Sequence, residues 1–230
     1  MYMLKSKKSS PGTNFDHYLF TLKLWLDSRV EPICRVIDKS AESILDVGCG
    51  QGYPMRLIRL VMEPKKVVGV DLFNEYIEEA KSAHLHDKYV ISDIRKLKFP
   101  KKSFDVVLAS QVIEHLPKKD ARKFIKDLER IAKKQVIIAT PIGEMYHPAV
   151  DDNELQLHLS NYYPEYFEKL GYRILKYGRK SLLGDHGLVH KIPNGILRKC
   201  LFLFNILISP FYYVFQPIAD YYFVAYKTFK

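Results

Sequence analysis

The stretch ILDVGCGQG, residues 44–52, places three glycines between an apolar run and a segment with helical spacing. Its Ile, Leu and Val residues are typical of a buried strand. A glycine turn before a helix lets backbone N–H groups reach a ligand without interference from Cβ atoms. The spacing of Gly48, Gly50 and Gly52 differs from the G-x-G-x-x-G turn of dinucleotide-binding proteins, and Asp46 precedes it. The stretch predicts a strand, a ligand-binding turn and a helix. The alternative is that the glycines only form a tight connection between the strand and the helix.

Short apolar runs and longer amphipathic segments continue to alternate after this turn. Five runs rich in Val and Ile have the length of strands, and the segments between them have apolar residues at helical spacing. This alternation is typical of βαβ units, so we predict an α/β fold with a doubly wound, mainly parallel sheet. The predicted strands are SILDV, KVVGVD, KYVIS, FDVVLA and QVIIAT, and the predicted helices are PMRLIRLVM, NEYIEEAKSAHL and KKDARKFIKDLERIAKK.

The composition is that of a folded intracellular protein. With 47% hydrophobic residues in 230, the chain can bury a substantial core. Residues 1–14 have the composition of a disordered tail and lack the apolar stretch of a secretory signal. The 3 cysteines are odd in number and widely spaced, which argues against a disulfide framework or a thiolate zinc site. We therefore expect a cytoplasmic protein.

Acidic and polar residues end or follow the later predicted strands. Asp71 ends KVVGVD, where a carboxylate can accept hydrogen bonds from both hydroxyls of a ribose. Asp93 follows KYVIS and can accept from an adenine amino group, with Ile94 against the ring. Ser110 and Gln111 follow FDVVLA. The carboxyl ends of parallel strands meet at one edge, where open α/β sheets bind ligands. The sequence predicts a nucleoside site at that edge.

Together these motifs resemble those of class I S-adenosylmethionine-dependent methyltransferases. Residues 44–143 contain, in order, LDVGCGxG, an acidic end to the second strand, D-x-x-x-L and V-x-E-H-L. The resemblance implies S-adenosylmethionine as cofactor and S-adenosylhomocysteine as product. It assigns Asp46, Gly48 and Gly50 to the methionine part, Asp71 to the ribose, Leu72, Asp93 and Ile94 to the adenine, and Ser110 and Gln111 to the sulfonium end. Cys49, in the same turn, is also expected to bind the cofactor.

The resemblance also implies how the rest of the chain is arranged. The family's sheet has seven strands, the last of them antiparallel, and here that strand would be YYFVAYKTF, residues 221–229. It would pair with YRILKYGR, residues 172–179. Within a single methyltransferase domain of residues 15–230, we expect a helical cap at 15–40, a core at 41–180 and an apolar helical insertion at 193–219 before the last strand.

Three histidines are candidates for contact with the methyl acceptor. A sulfonium methyl group is already electrophilic, so the protein must mainly align the reactants and exclude water. No metal is required for this chemistry, and none is predicted. A hydroxyl or an acidic carbon needs a base, for which His158 is the first choice and His115 the second, with His147 in a further loop. The structural alternatives are that Glu114 and His115 cap or pack against the next helix and that Ser160 or Asn161 caps a later one.

An uncharged apolar segment, CLFLFNILISPFYYVFQPIA, occupies residues 200–219. It has the length of a membrane span, but Pro210 and Pro217 interrupt a helix, and a following strand in the sheet requires the chain to return. We expect the insertion to cover the acceptor pocket or to dip into a membrane interface, next to Arg198 and Lys199. Burial against the core or in a homo-oligomer interface is equally open.

The net charge of +10 would suit an anionic membrane surface, an RNA or an acidic small substrate. The apolar segment favours a small acceptor, lipid-like or isoprenoid-like, and an enzyme that associates peripherally with a membrane. RNA methylation is the second hypothesis; nucleic acid is not the expected partner, since no N-P-P-Y tetrapeptide or RNA-binding module is found. A cofactor-binding scaffold without catalysis also stays open.

Overall fold

The computed structural model describes residues 30–144, 153–177, 195 and 222–229. Its strands are β1 (Ser43–Val47), β2 (Lys66–Asp71), β3 (Lys88–Ile91), β4 (Phe104–Ser110), β5 (Ala132–Pro141), β6 (Arg173–Tyr177) and β7 (Tyr222–Thr228). Its helices are α1 (Glu31–Val36), α2 (Tyr53–Val61), α3 (Asn74–Ser82), α4 (Lys118–Ile131) and α5 (Pro164–Glu168). Short 3-10 turns lie at Ile94–Lys96, Ile113–His115 and Glu154–Gln156.

The seven strands form one sheet in the order β3-β2-β1-β4-β5-β7-β6. β1 to β5 are parallel, and β7 lies antiparallel to both β5 and β6. This order confirms the predicted fold class. It also confirms that the last strand of the chain pairs with the segment predicted for it, because β7 lies within residues 221–229 and β6 within 172–179.

Successive residues of the central strands point to opposite faces of the sheet, and helices cover both faces. One buried cluster contains Leu45, Val107 and, from α4, Phe124 and Leu128, and the other contains Ile44, Val106, Ile33 of α1 and Ile58 of α2. Both faces of β1 and β4 are therefore packed, which explains why these strands are apolar runs without polar alternation. Their carboxyl ends are consequently held firmly beside one another.

One predicted helix end differs from the structure, and three predicted segments fall wholly or partly outside the described residues. The helix predicted through Lys134 ends at Ile131, because Ala132 takes an extended backbone and pairs with Phe104 at the start of β5. Of the helical cap, only α1 lies among the described residues. Apart from Gly195, the predicted insertion at 193–219 lies outside them, as does the tail at 1–14. Among the described residues, no helix combines the length and apolarity needed to cross a bilayer.

Asp105 joins the amino ends of β1 and β4. Its Oδ2 accepts hydrogen bonds from the backbone amides of Glu42 at 2.9 Å and Ser43 at 3.1 Å. Its own amide donates to Ser43 Oγ at 2.9 Å. Burial alone would raise the pKa of Asp105, but the hydrogen bonds from Glu42 and Ser43 bring this pKa below its ordinary value. The carboxylate therefore stabilises the register of the two central strands.

Asp105→Asn should lower the free energy of unfolding by about 1–3 kcal/mol at pH 7, because an amide oxygen replaces a charged acceptor. Since the folded-state pKa is lowered, the contribution of the carboxylate is present above its unfolded pKa of about 3.9 and is lost as pH falls through the folded value. Urea unfolding of both proteins at pH 7 and near pH 3 measures this difference. A difference of the same size at both pH values would contradict this role.

Candidate functional site

The glycine turn after β1 has a left-handed backbone, with φ of +70° at Gly48, +48° at Gly50 and +79° at Gly52. A Cβ atom added to Gly48 would lie 2.4 Å from Val112 Cγ2, and one added to Gly52 would lie 2.6 Å from Leu85 Cδ1. For Gly50, the nearest heavy atom would be 3.9 Å away. Gly48 and Gly52 therefore seat the turn against the protein, while a Cβ on Gly50 would only touch Tyr76 at an ordinary van der Waals distance.

The backbone amides of this turn donate inside the protein. The amides of Gly48 and Cys49 donate to the carbonyl of Val70 at 2.7 Å and 3.0 Å. The amide of Gly50 donates to Asp71 Oδ2 at 2.8 Å. The expectation that N–H groups reach the ligand is therefore wrong for these three residues. Carbonyl oxygens are the groups that the turn can offer, and they suit a ligand that carries ammonium and sulfonium charges.

Asp71, at the carboxyl end of β2, is held by two backbone amides. Oδ2 accepts from Gly50 at 2.8 Å and Oδ1 from Phe73 at 3.0 Å. These bonds orient the half-buried carboxylate towards the glycine turn, and each oxygen keeps a second lone pair for a ligand hydroxyl. The next residue, Leu72, is 43% exposed at the same edge. The structure thus brings together the residues predicted for ribose and for one adenine face.

Asp46 forms a buried pair that the sequence did not predict. Its Oδ2 lies 2.9 Å from Nε2 of His86, and both side chains are almost fully buried. Asp46 Oδ1 is buried and has no hydrogen-bond partner within the described part of the chain. The available signal was Gly69, a glycine inside an apolar strand, which marks a close approach. A Cβ there would lie 2.9 Å from Cys49 Sγ and 3.0 Å from His86 Cδ2.

Cys49 points its side chain into this packed region. The side chain is buried, and burial raises the pKa of its thiol. A raised thiol pKa disfavours the reactive thiolate. Any contact between Cys49 and a cofactor would therefore go through its backbone.

Asp93 and Ile94 follow β3 at the same edge of the sheet. The guanidinium of Arg95 holds the Asp93 carboxylate, with Nε 3.0 Å from both oxygens and Nη2 2.7 Å from Oδ2. The hydrogen bond from Arg95 lowers the pKa of Asp93. Ile94 is half-buried against the core. Arg95 thus uses some of the lone pairs of Asp93 that were predicted to accept from the adenine amino group. The contact between Asp93 and adenine stays a prediction.

The end of β4 is strained at the position predicted for the sulfonium. Gln111 has φ of +56°, a left-handed value that a residue with a Cβ rarely adopts. Its backbone amide donates to the carbonyl of Ala139 at 2.8 Å, which holds this conformation. Its side-chain Nε2 is buried without a hydrogen-bond partner among the described residues. Ser110, just before it, is half-buried. Strain of this kind is concentrated at functional sites.

Beyond β4, the structure brings His115 and His158 together. Their ring centroids lie 5.0 Å apart, and Nδ1 of His115 lies 3.1 Å from the carbonyl of Leu157. The carbonyl of Glu114 accepts from the amides of Leu159 at 2.8 Å and Ser160 at 3.0 Å. The segment that carries His158 is therefore fastened to the 3-10 turn at Ile113–His115. His147 lies outside the described residues.

Of the structural alternatives for these residues, helix capping is wrong, whereas packing agrees with the burial of Glu114. α4 and α5 begin without a side-chain cap, and Ser160 Oγ instead donates to the carbonyl of Leu116 at 2.6 Å. Glu114, which the sequence suggested only as a residue that caps or packs against the next helix, is buried beside the two histidines. Burial raises the pKa of Glu114 to about 7, although Thr140 Oγ1 donates to its Oε2 at 2.9 Å. The three side chains form a polar cluster at the carboxyl edge.

This region is similar in sequence to known proteins. Residues 45–140 match the family model described as a methyltransferase domain. A probable S-adenosylmethionine-dependent methyltransferase of Mycobacterium tuberculosis is 27% identical over 150 residues, which cover 64% of this chain and 52% of that protein. A trans-aconitate 2-methyltransferase of Escherichia fergusonii is 32% identical over 88 residues, 38% of this chain and 34% of that enzyme. The chain thus spans about half the length of the mycobacterial relative.

The fold has counterparts among solved structures. A SAM dependent methyltransferase from Archaeoglobus fulgidus matches with a TM-score of 0.56 at 20% identity, over 92% of this chain and 99% of that chain. Sheet order and glycine turn define the class I methyltransferase fold. The matched domain and the relatives show that residues 45–140 are similar in sequence to the family of class I S-adenosylmethionine-dependent methyltransferases. The cofactor predicted from the sequence is the cofactor of that family.

Gly48→Ala and Gly50→Ala form a matched pair that tests how the turn is seated. Both variants place a Cβ on a left-handed backbone, which costs about 1–2 kcal/mol. Only Gly48→Ala also drives a methyl group into Val112, so its free energy of unfolding should fall by a further ~1–3 kcal/mol. Urea unfolding measures both variants. Equal losses would mean that Gly48 does not seat the turn.

Proposed function

We propose that this chain transfers the methyl group of S-adenosylmethionine to a small acceptor. The observation that carries the proposal is the 2.8 Å hydrogen bond from the Gly50 amide to Asp71 Oδ2. It joins the glycine turn and the acidic end of β2 into one site. A carboxylate oriented in this way can bind a ribose diol, and Gly50, which is partly exposed and has no side chain, would let a ligand approach the backbone. Both features fit an adenosyl cofactor.

The cofactor-binding residues act by positioning. When bound, S-adenosylmethionine supplies an electrophilic methyl group. Asp71 would hold the ribose, and the carbonyls of the turn together with Asp46 would favour the positively charged methionine part. Ser110 and Gln111, at the end of β4, would lie beside the sulfonium. Alignment of acceptor, carbon and sulfur then supplies most of the rate enhancement, because the transfer is an in-line displacement.

The acceptor side of the site is polar. The side chains past the end of β4 are Glu114, His115 and His158. Asp71 ends β2, and β1 lies between β2 and β4, so this cluster is separated from Asp71 by the position proposed for the sulfonium. A hydroxyl acceptor loses a proton during transfer, and such a cluster can orient that hydroxyl or accept the proton. The trans-aconitate enzyme among the relatives acts, by its name, on a small acid. That relative supports a small-molecule acceptor for this chain.

A lipid-like or isoprenoid-like acceptor is the form of the proposal that the sequence favours. Residues 200–219 are uncharged and largely apolar, and basic residues precede them. An apolar cover next to a basic surface would suit an amphipathic acceptor at an anionic membrane. The net charge of +10 agrees equally with an RNA acceptor, so the two acceptor classes must be separated by experiment.

Asp71→Asn should weaken S-adenosylmethionine binding roughly 10- to 100-fold, because a hydrogen bond to a charged group contributes about 1.5–3 kcal/mol. Isothermal calorimetry measures the affinity, with Glu78→Gln as the control, since Glu78 is an exposed acid paired with Lys81. Thermal unfolding shows whether the turn survives in each variant. Unchanged affinity in a folded Asp71→Asn protein would remove Asp71 from the site, and absence of binding by the unmodified protein would refute the proposed function.

Incubation of the full chain with methyl-labelled cofactor and fractionated cell extract should place label in a lipid or another small-molecule fraction. The Asp71→Asn protein serves as the blank, because it should bind little cofactor. Label in RNA would contradict a small-molecule acceptor and support RNA methylation instead. Cofactor binding without label in any fraction would favour a scaffold without catalysis.

A further inference from the structure

We propose that Glu114, His115 and His158 bind a divalent transition-metal ion at the acceptor end of the site. Each side chain offers one ligand atom, and these atoms all lie within 4.8 Å of one another. Two imidazole nitrogens and one carboxylate oxygen form the donor set of open zinc and iron sites. The sequence predicted no metal ion, and this proposal departs from that expectation.

Glu114 supplies the independent observation that points to a cation. Its side chain is 2% exposed, and one carboxylate oxygen, Oε2, accepts from Thr140 Oγ1 at 2.9 Å. The other oxygen, Oε1, is buried and has no hydrogen-bond partner in the described part of the chain. A buried carboxylate oxygen without a donor is costly. A metal ion between Glu114 and the histidines would supply the missing positive charge.

The surrounding contacts hold the three ligands in place. Nδ1 of His115 lies 3.1 Å from the carbonyl of Leu157, an acceptor of the kind that metal-binding histidines use to fix their ring. With Nδ1–H donated to that carbonyl, Nε2 becomes the ligand atom. The amides of Leu159 and Ser160 bind the carbonyl of Glu114, so the segment of His158 is fixed relative to the other two ligands. The hydrogen bond from Thr140 Oγ1 to Oε2 orients the carboxylate of Glu114.

The position of the ion gives it a role in the proposed function, on which this step rests. Glu114 and His115 follow β4, just beyond Ser110 and Gln111, and His158 joins them from the segment after β5. Three protein ligands would leave coordination positions open for acceptor oxygens. A hydroxyl bound to the ion loses its proton more readily, and the proton passes to water. The oxygen then forms its bond to the methyl carbon as the carbon–sulfur bond breaks, with that electron pair going to sulfur. The acceptor is therefore a hydroxyl compound whose oxygen binds the metal.

The proposal can be tested without turnover. Chelator-treated protein is titrated with Zn²⁺ by calorimetry and with Co²⁺ by visible absorption, in the absence of cofactor. We expect one ion per chain and Co²⁺ bands typical of nitrogen and oxygen ligands. His158→Asn and Glu114→Gln should each weaken binding at least roughly tenfold. His84→Asn is the matched control, because His84 is exposed and has φ of +51°, which Asn tolerates.

Zn²⁺ should also raise the melting temperature of the unmodified and His84→Asn proteins but not that of His158→Asn. No saturable binding, or binding of equal strength in His158→Asn, would overturn the proposal. These outcomes are separate from the cofactor titration, which can succeed while metal binding fails. Once an acceptor is known, the chelated protein should keep its cofactor affinity and lose transfer, and added Zn²⁺ or Co²⁺ should restore it. Full transfer by the chelated protein would remove the ion from the reaction.

Discussion

The site depends on a backbone that reverses over three glycines and is locked by a carboxylate from the neighbouring strand. Gly48, Gly50 and Gly52 have left-handed φ values, and the amides of the turn are used by Val70 and Asp71. The turn depends on both features. Side chains in place of Gly48 and Gly52 would collide with Val112 and Leu85, and without Asp71 the Gly50 amide would lose its acceptor. The packed faces of β1, β2 and β4 then keep these parts in register.

This arrangement gives the carboxyl edge a particular electrostatic character. Since the turn donates its amides inward, the edge presents acceptors: the carboxylate of Asp71, the carbonyls of the turn and the buried Asp46 beneath them. Such an edge favours a ligand with hydroxyl donors and positive charge, as an adenosyl sulfonium has, over a phosphate-bearing dinucleotide. Past β4 the character changes, because Glu114 and the paired rings of His115 and His158 lie together there, where we propose that the acceptor binds.

Much of this could be predicted from the sequence, because strands buried on both faces are visible as apolar runs and the ends of parallel strands converge on one edge. The meeting of Asp71 with the glycine turn follows from that rule alone. The pair of Asp46 and His86 does not, because its members are 40 positions apart and only Gly69 hints at the close approach. The cluster of Glu114 with the two histidines was not predicted for the same reason, since Thr140 and His158, which lie near Glu114, come from other elements. The end of α4 was missed because pairing with Phe104 outweighs the helix propensity of Ala132.

A crystal structure with S-adenosylhomocysteine tests the central claim most directly. We expect both ribose hydroxyls to lie within hydrogen-bonding distance of the Asp71 carboxylate. We expect the homocysteine part of the ligand to lie against the backbone of Gly50. A ligand bound elsewhere, or bound here with its ribose turned away from Asp71, would contradict the account.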